Sequence, residues 1–264
     1  MLLNGLSVVN VELTDFCNKK CKICGRRGRE KQFPEIKKTY GEIDFELLKK
    51  ISKQLPKNII VQYHWNGESL LYKKFGDAIR LFPNQIKNIV TNGKLLLKKF
   101  DEIVDNLDTI AISVFEGDPE AEEQFLIVKE FLVRKGNKKP FIIIRQNGDV
   151  DVDRYKQLGL LVASRAIHAP EGSFNYVHKQ PVVPEHGICL DILSHLAINK
   201  EGEVSICVRF DPNRLGVLGN VKNNTLSELW NSPKRLEWLR YHIQGQRDKV
   251  PLCSKCEFYG LPTG

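Results

Sequence analysis

The chain has no run of apolar residues approaching the roughly 20 that a membrane-spanning helix needs, and no basic-then-apolar signal segment opens it. A membrane partner is therefore not expected, and a cytoplasmic location is. There is no internal repeat and no low-complexity tract, which sets aside solenoids and tethers. Despite a net charge of +8, no arginine-rich aromatic platform points to nucleic acid. Without an export signal, the seven cysteines do not read as disulfides; they read as metal ligands in a reducing compartment. The odd count divides as three plus four. At 264 residues, 42% hydrophobic, the chain can bury one large core, or a large core and a small one.

Cys17, Cys21 and Cys24 follow a strand-like stretch, Val8-Val9-Asn10-Val11-Glu12-Leu13, in a Cys-x-x-x-Cys-x-x-Cys spacing. Three thiolates can hold three irons of a four-iron, four-sulfur cube and leave the fourth open to a small molecule. Such a cluster becomes a reagent rather than an electron store. The competing assignment is zinc, whose structural sites usually pair two Cys-x-x-Cys knuckles; a lone group of three lacks its closing ligand.

Strand and helix signals alternate over the first two-thirds. Strands are expected at Leu6–Thr14, Asn58–Tyr63, Gln85–Thr91, Asp108–Val114, Phe141–Arg145 and Leu160–Ala166. Helices are expected at Asp44–Leu55, Lys73–Phe82, Lys94–Val104, from Asp118-Pro119 to Gly136, and at Asp151–Gln157. Leu47, Leu48, Ile51 and Leu55 share one helix face. Six strand–helix units with short connections imply a parallel sheet with right-handed crossovers, too few to close an eight-stranded barrel. The expected fold class is α/β: a partial (β/α)6 TIM-like barrel over residues 1–170, a crossing segment over 171–188, and a small α+β module over 189–264. Active groups should lie at the carboxyl ends of the strands, where the cysteine loop falls.

Beyond Gly187, Ser194–Asn199 and Glu203–Arg209 read as a hairpin, Thr225-Leu226-Ser227-Glu228 as a capping box, and Ser232-Pro233 as the start of a helix with Leu236, Leu239 and Ile243 on one side. Cys189, Cys207, Cys253 and Cys256 fall in this module. Four thiolates suit a fully ligated second cube or a structural zinc equally well. A basic group, Arg26, Arg27, Arg29, Lys31, Lys37 and Lys38, follows the first cysteines and reads either as a grip for an anion or as plain surface.

The stretch from Val8 to Cys24 resembles the opening of a radical S-adenosylmethionine (SAM) enzyme. Ile188–Gly260 is similar to that superfamily's auxiliary-cluster extension, called SPASM in full form and twitch when shortened. Its landmarks are Ile198-Asn199-Lys200-Glu201-Gly202-Glu203-Val204, Cys207, Leu218-Gly219-Asn220-Val221, Leu229-Trp230-Asn231-Ser232 and Cys253-x-x-Cys256. The resemblance implies two [4Fe-4S] clusters, one with an open iron held by Cys17, Cys21 and Cys24, and an auxiliary one held by Cys189, Cys207, Cys253 and Cys256. Trp65-Asn66-Gly67-Glu68-Ser69 stands where the superfamily carries Gly-Gly-Glu-Pro, so Asn66, Gly67 and Glu68 are expected to hold the SAM amino group. Ile23 replaces an aromatic residue near the adenine. Ser113, Glu116 and Arg145 match regions that contact the ribose and carboxylate.

The implied reaction is SAM cleavage to a 5′-deoxyadenosyl radical, hydrogen abstraction, and oxidation of the substrate radical through the auxiliary cluster, with small-molecule dehydrogenation favoured. Tyr63, His64 and His168 are candidates for the proton acceptor. A reducing partner such as flavodoxin or ferredoxin is implied. The alternatives are a peptide- or protein-modifying maturase that cross-links, oxidises or epimerises, and a non-enzymatic zinc-stabilised scaffold. The maturases of the family often carry a leader-binding domain ahead of the barrel, whereas this chain opens almost at its first strand.

Overall fold

The computed structural model of the chain describes residues 3–165, 188–254 and 256. Six strands appear in the expected places: β1 Val8–Val11, β2 Ile60–Tyr63, β3 Ile86–Thr91, β4 Thr109–Phe115, β5 Phe141–Asn147 and β6 Leu161–Arg165. They pair in sequence order, all parallel, and the sheet stays open. Helices α1 Gly25–Gln32, α2 Phe45–Ser52, α3 Phe75–Arg80, α4 Phe100–Ile103, α5 Ala121–Lys135 and α6 Asp153–Gln157 fall between them.

Local chemistry sets these elements. Asp44 caps α2 by accepting the Leu47 N–H at 2.9 Å, and Leu47, Leu48 and Ile51 turn the apolar face to the sheet. Each such side chain contributes about 1.5–3 kcal/mol on burial. The helix expected over Lys94–Val104 contracts to α4 behind a series of turns that still bury Leu96. So short a helix forms only where packing supports it. α5 begins three residues later than expected because the Asp118 carboxylate is engaged by the Glu120 N–H and by Lys19. Gly136, at φ +54°, supplies the left-handed end.

The main core lies between the sheet and its helices. Along β2 the side chains alternate, so Val61 and Tyr63 enter that core while Gln62 faces the other way. On that opposite face Asn10, Gln62, Asn88 and Thr109 form a cross-strand polar ladder from β1 to β4.

The second half departs from expectation in two respects. The hairpin strands, β7 His195–Ile198 and β8 Glu203–Ser205, do not stand apart. β7 runs parallel beside β1 (Val8 opposite His195, Val11 opposite Ile198), and β8 and β9 (Val217–Asn220) continue antiparallel beyond it. A barrel of six strands leaves β1 with an open edge, and a fully buried run, Leu196-Ala197-Ile198, satisfies it. Lys50 Nζ reaches the Val221 carbonyl at 2.6 Å, and Gln54 Oε1 accepts the Leu226 N–H at 2.7 Å.

The second departure concerns the last helices. Helices α7 Leu190–Ser194, α8 Leu226–Trp230 and α9 Pro233–Ile243 follow. The capping box at Thr225 and Glu228 forms as expected. The buried face of α9 is Arg235, Trp238 and His242, whereas Leu236 is 49% and Ile243 60% exposed. The reason is the carbonyls left open at the ends of α7 and α8. Arg235 donates to Trp230 O at 3.1 Å and to Ile192 O at 2.8 Å, and lies over the Trp230 ring. A small separate core, Ile192, Ile206, Trp238, Val250 and Leu252, forms beneath.

Candidate active site

The loop after β1 carries the first three cysteines across the carboxyl end of the sheet. Thr14 and Asp15 tie its start to Gly41: Thr14 Oγ1 donates to Gly41 O at 2.7 Å, and Asp15 accepts the Gly41 N–H at 2.7 Å. Cys24 stands at the N-cap of α1. The loop after β2 packs on the same run, backbone against backbone. The Glu68 N–H donates to Phe16 O at 2.8 Å, and a Cβ on Gly67 would overlap the Thr14 carbonyl and lie 2.8 Å from Asp15 Cα. Only glycine permits that approach.

Between these loops lies a cavity of about 240 Å³. Cys17, Cys21, Cys24 and Ile23 line one side; His64, Asn66, Gly67 and Glu68 come from the end of β2, and Ser113 and Arg145 from β4 and β5. The structure thus brings together most of the residues singled out from sequence. Their facing follows the period-two alternation of strands: His64 is one residue past Tyr63 and so on the opposite face, while Ser113 and Phe115, and Arg145 and Asn147, share the cavity face.

Two expectations end differently, and a third cannot be followed in the described residues. Tyr63 is fully buried away from the cavity, edge-on to Phe75 and Phe82, and no partner reaches its hydroxyl. Burial pushes that phenol well above its ordinary value, which leaves it a core residue and no proton acceptor. Glu116 lines a neighbouring cavity of about 290 Å³ beside Asn18 and Lys20, where it accepts the Asp149 N–H at 2.8 Å, because it lies past the end of β4. His168 falls outside the described residues.

Glu68 is 2% exposed and already accepts three donors: the Thr91 hydroxyl and the Asn92 N–H, both at 2.8 Å, and the Leu70 N–H at 3.2 Å. Burial raises its pKa, and those donors oppose the rise. Asn92 bridges to the cysteine loop, donating to Asn18 Oδ1 at 2.8 Å and standing 4.0 Å from Cys17 Sγ. Burial likewise raises the Cys17 thiol and, with Cys24 and Cys17 as neighbours, pushes Cys21 up to about 12. Protonated at neutral pH, these thiols give up protons when a metal binds.

The donor set fits an open-sited iron–sulfur cube: three thiols around a roomy cavity, beside a backbone cradle that a Cβ would fill. Among the described residues no three Cys, His, Asp or Glu side chains converge closely enough for a single metal ion. A cube takes its thiolates on separate irons, so the fit rests on the donors and the cavity.

The second set gathers around the small core. Cys189 stands at the N-cap of α7, Cys207 follows β8, and Cys253 and Cys256 lie together, the Cys256 N–H donating to Cys253 O at 3.1 Å. Burial raises Cys253 foremost, then the nearby Cys189 and Cys256; Cys207 rises through burial, Asp191 and Cys189. Each of the four thiols therefore lies within electrostatic reach of at least one other, linked through Cys189 and Cys253. Four such donors fit a fully ligated cluster.

Residues that the sequence did not single out also shape the first cavity. Val208, Arg209 and Phe210, directly after Cys207, line it, so one segment touches both cysteine regions. Lys19 is 4% exposed and paired with Asp118 and Glu120. Glu12, 3% exposed at the end of β1, accepts the N–H of Asn66 at 3.1 Å and of Lys200 at 3.2 Å. Burial lifts its pKa to about 7. The signal for Arg209 was its place two residues after a ligand; Glu12 and Lys19 gave none, because only the fold buries them.

Comparison with known proteins places this geometry. The SPASM family, an iron-sulfur cluster-binding domain, matches residues 189–257. The S-adenosyl-L-methionine-dependent 2-deoxy-scyllo-inosamine dehydrogenase of Niallia circulans is 23% identical over 97% of this chain and 95% of its own length. The FeMo cofactor biosynthesis protein NifB of Methanocaldococcus jannaschii is 28% identical over 64% of this chain; the match spans 60% of that relative. Among solved structures, BtrN in complex with AdoMet and 2-DOIA shares the fold with a TM-score of 0.64 at 19% identity, covering 95% of this chain and 92% of that one. Native anSMEcpe with bound AdoMet gives 0.54 at 14% identity, over 95% and 90%. With the cysteine loop, the open parallel sheet and the C-terminal match together, the chain belongs to the radical SAM superfamily and carries a SPASM-type iron–sulfur module, with SAM and iron–sulfur clusters as its cofactors.

Proposed function

We propose that this enzyme dehydrogenates a small molecule. The observation that carries the reading is the Val208–Phe210 segment: it follows Cys207 of the second cysteine set and forms a wall of the cavity that holds the first. A substrate in that cavity lies beside both regions. The Niallia circulans relative, which this chain matches along nearly its whole length, is by name a dehydrogenase. When bound, the cofactors supply a carbon-centred radical that takes a hydrogen atom and, at the second set, an acceptor for the electron left behind.

The residues of the chain bind, orient and deprotonate. Cys17, Cys21 and Cys24 hold the open-sited cluster, and Cys189, Cys207, Cys253 and Cys256 the auxiliary one. The backbone at Asn66 and Gly67 receives the SAM ammonium, with Glu68 behind it as a buried negative charge. Arg145 pairs with the SAM carboxylate, Ser113 with the ribose, and the Ile23 backbone meets the adenine. Ile23, Phe115, Val208 and Phe210 keep water from the reacting centre. His64, the imidazole on the cavity wall, takes the proton as an alcohol carbon becomes a carbonyl. A low-potential donor of the flavodoxin or ferredoxin kind, in the cytoplasm, completes the system. Among the described residues no helix is long and apolar enough to cross a membrane.

Anaerobic reconstitution with iron and sulfide tests this. About eight irons per chain are expected, falling to about four in a Cys17→Ala/Cys21→Ala/Cys24→Ala variant that no longer forms 5′-deoxyadenosine. Zinc in the second set would remove the electron acceptor and overturn dehydrogenation.

A further inference from the structure

The cysteine loop rests on α1 and on Tyr40 beyond it, where four residues form a polar cluster, one of which, Arg26, also lines the cavity. Arg27 Nη2 donates to two loop carbonyls, Cys17 O at 3.1 Å and Lys19 O at 2.9 Å. Its Nη1 donates to both Glu30 oxygens, at 2.8 and 2.7 Å. The Tyr40 hydroxyl donates to Glu30 Oε1 at 2.6 Å. Arg26 donates to the Asp15 carbonyl, its Nε lies 3.7 Å from Glu30, and its guanidinium sits 4.8 Å over the Tyr40 ring. Arg26 is 5% and Glu30 6% exposed. Burial alone would raise the Glu30 carboxyl, but Tyr40 and the two arginines hold it below its ordinary value, so it stays ionised.

The charges do not cancel. Within this cluster two guanidiniums face one carboxylate, so the cluster by itself sets a surplus of one positive charge beside the loop, across from the Glu68 carboxylate. To anchor a loop, one paired arginine is enough. A buried surplus charge is costly unless an opposite charge nearby completes it. The loop itself provides that opposite charge once its thiolates carry a cluster, and more of it after reduction adds an electron.

We propose that Arg26, Arg27, Glu30 and Tyr40 are positioning residues that also tune the cluster electrostatically. They preset the carbonyls that shape the cysteine loop, and their surplus positive charge favours the reduced form of the cluster held there. The inference rests on the first cysteine set holding the reactive cluster. It also changes the standing of the basic stretch after Cys24. Arg26 and Arg27 turn inward and serve the loop, while Lys31, Lys37 and Lys38 remain exposed.

An EPR-monitored redox titration of the anaerobic holoprotein tests this without reference to turnover. Arg27→Gln removes a positive charge and should lower the midpoint potential of the first cluster. Glu30→Gln removes the negative charge and should raise it. The potential of the auxiliary cluster, read in the same titration, should stay put in both. Arg27→Lys keeps the charge but not the fork to two carbonyls. It should keep the wild-type potential while a chelator strips iron from the first site about tenfold faster. If Arg27→Gln takes up no iron there, Arg27→Lys and Glu30→Gln carry the same test. Shifts of one sign in both charge variants, or none, mean the cluster of residues is only a brace and overturn the inference. Zinc in place of iron at the first set in wild type overturns this inference and the proposed function together.

Discussion

The two cysteine regions are supported by opposite means. The first sits on charge: two arginines, a carboxylate and a tyrosine behind it, and polar residues from the ends of β2 to β5 before it. The second sits on grease: Ile192, Ile206, Trp238, Val250 and Leu252, with Cys189, Cys207 and Cys253 packed against them. Polar supports suit a site that must admit a cosubstrate and change charge in each cycle, because their dipoles and charges respond to what arrives. Apolar supports suit a site whose ligands are all internal. An electron store needs insulation more than access.

The comparison can be broken from its apolar side first. Trp238→Ala should cost about 3–5 kcal/mol, the usual penalty for emptying a large aromatic site. Its expected signature is loss of the second cluster with retention of the first, read by iron counting and EPR. Loss of both would show that the two regions do not stand independently.

Glu12 sits at the junction, accepting N–H groups from both halves of the molecule. Its ordinary value of 4.5 is raised to about 7 by burial. The folded chain therefore holds that proton more tightly than the unfolded chain. Stability should fall as pH rises from about 4.5 to about 7, by about 3 kcal/mol for a shift of this size. Glu12→Gln should flatten this part of the profile, measured as denaturation midpoints of the anaerobic holoprotein at pH 5 and pH 8. An unchanged slope would assign the pH dependence elsewhere.

Gly67→Ala should sharpen the polar side. Its methyl group overlaps the Thr14 carbonyl, and overpacking of this kind costs about 1–3 kcal/mol. Weaker SAM binding by equilibrium dialysis, with the auxiliary cluster intact, is the expected result. Tyr63→Phe gives the smallest effect. It removes a buried hydroxyl with no partner, so stability should hold or rise by about 1 kcal/mol and turnover should not change. A large loss of activity would return Tyr63 to the reaction. His64→Gln is the matching variant on the cavity face.

Much of the barrel was legible because its signals are local. Apolar runs gave six strands, and Asp44, Gly136 and the Thr225 box marked helix ends. The cysteine loop was legible by spacing, His64 by its place at a strand end, and Asn66, Gly67, Glu68, Ser113 and Arg145 through the resemblance to the superfamily's motifs; all of them line the cavity. Facing was harder. Tyr63 and His64 differ by one residue, and only the packing of Phe75 and Phe82 decides which of them enters the core. On α9 the stripe of Leu236, Leu239 and Ile243 was only partly right: Leu239 packs on the small core, while Leu236 and Ile243 are exposed because the end carbonyls of α7 and α8 claim Arg235. Glu12 and Lys19 were illegible because a charged residue reads as surface until tertiary contacts bury it with partners far along the chain; the Arg27 clasp has local partners, but only the fold of the loop turns its guanidinium onto them.

The pairing of β7 with β1 bears on how the protein is made. During synthesis β1 gains one neighbour early, when β2 follows, and its other neighbour only after β2 to β6 have been made. Until then one flank of the strand leading to Cys17 is an open edge, the kind of surface on which nascent chains mispair. The last third of the polypeptide thus closes the first, and a ribosome-bound fragment ending before His195 would keep its cysteine loop on an unfinished sheet.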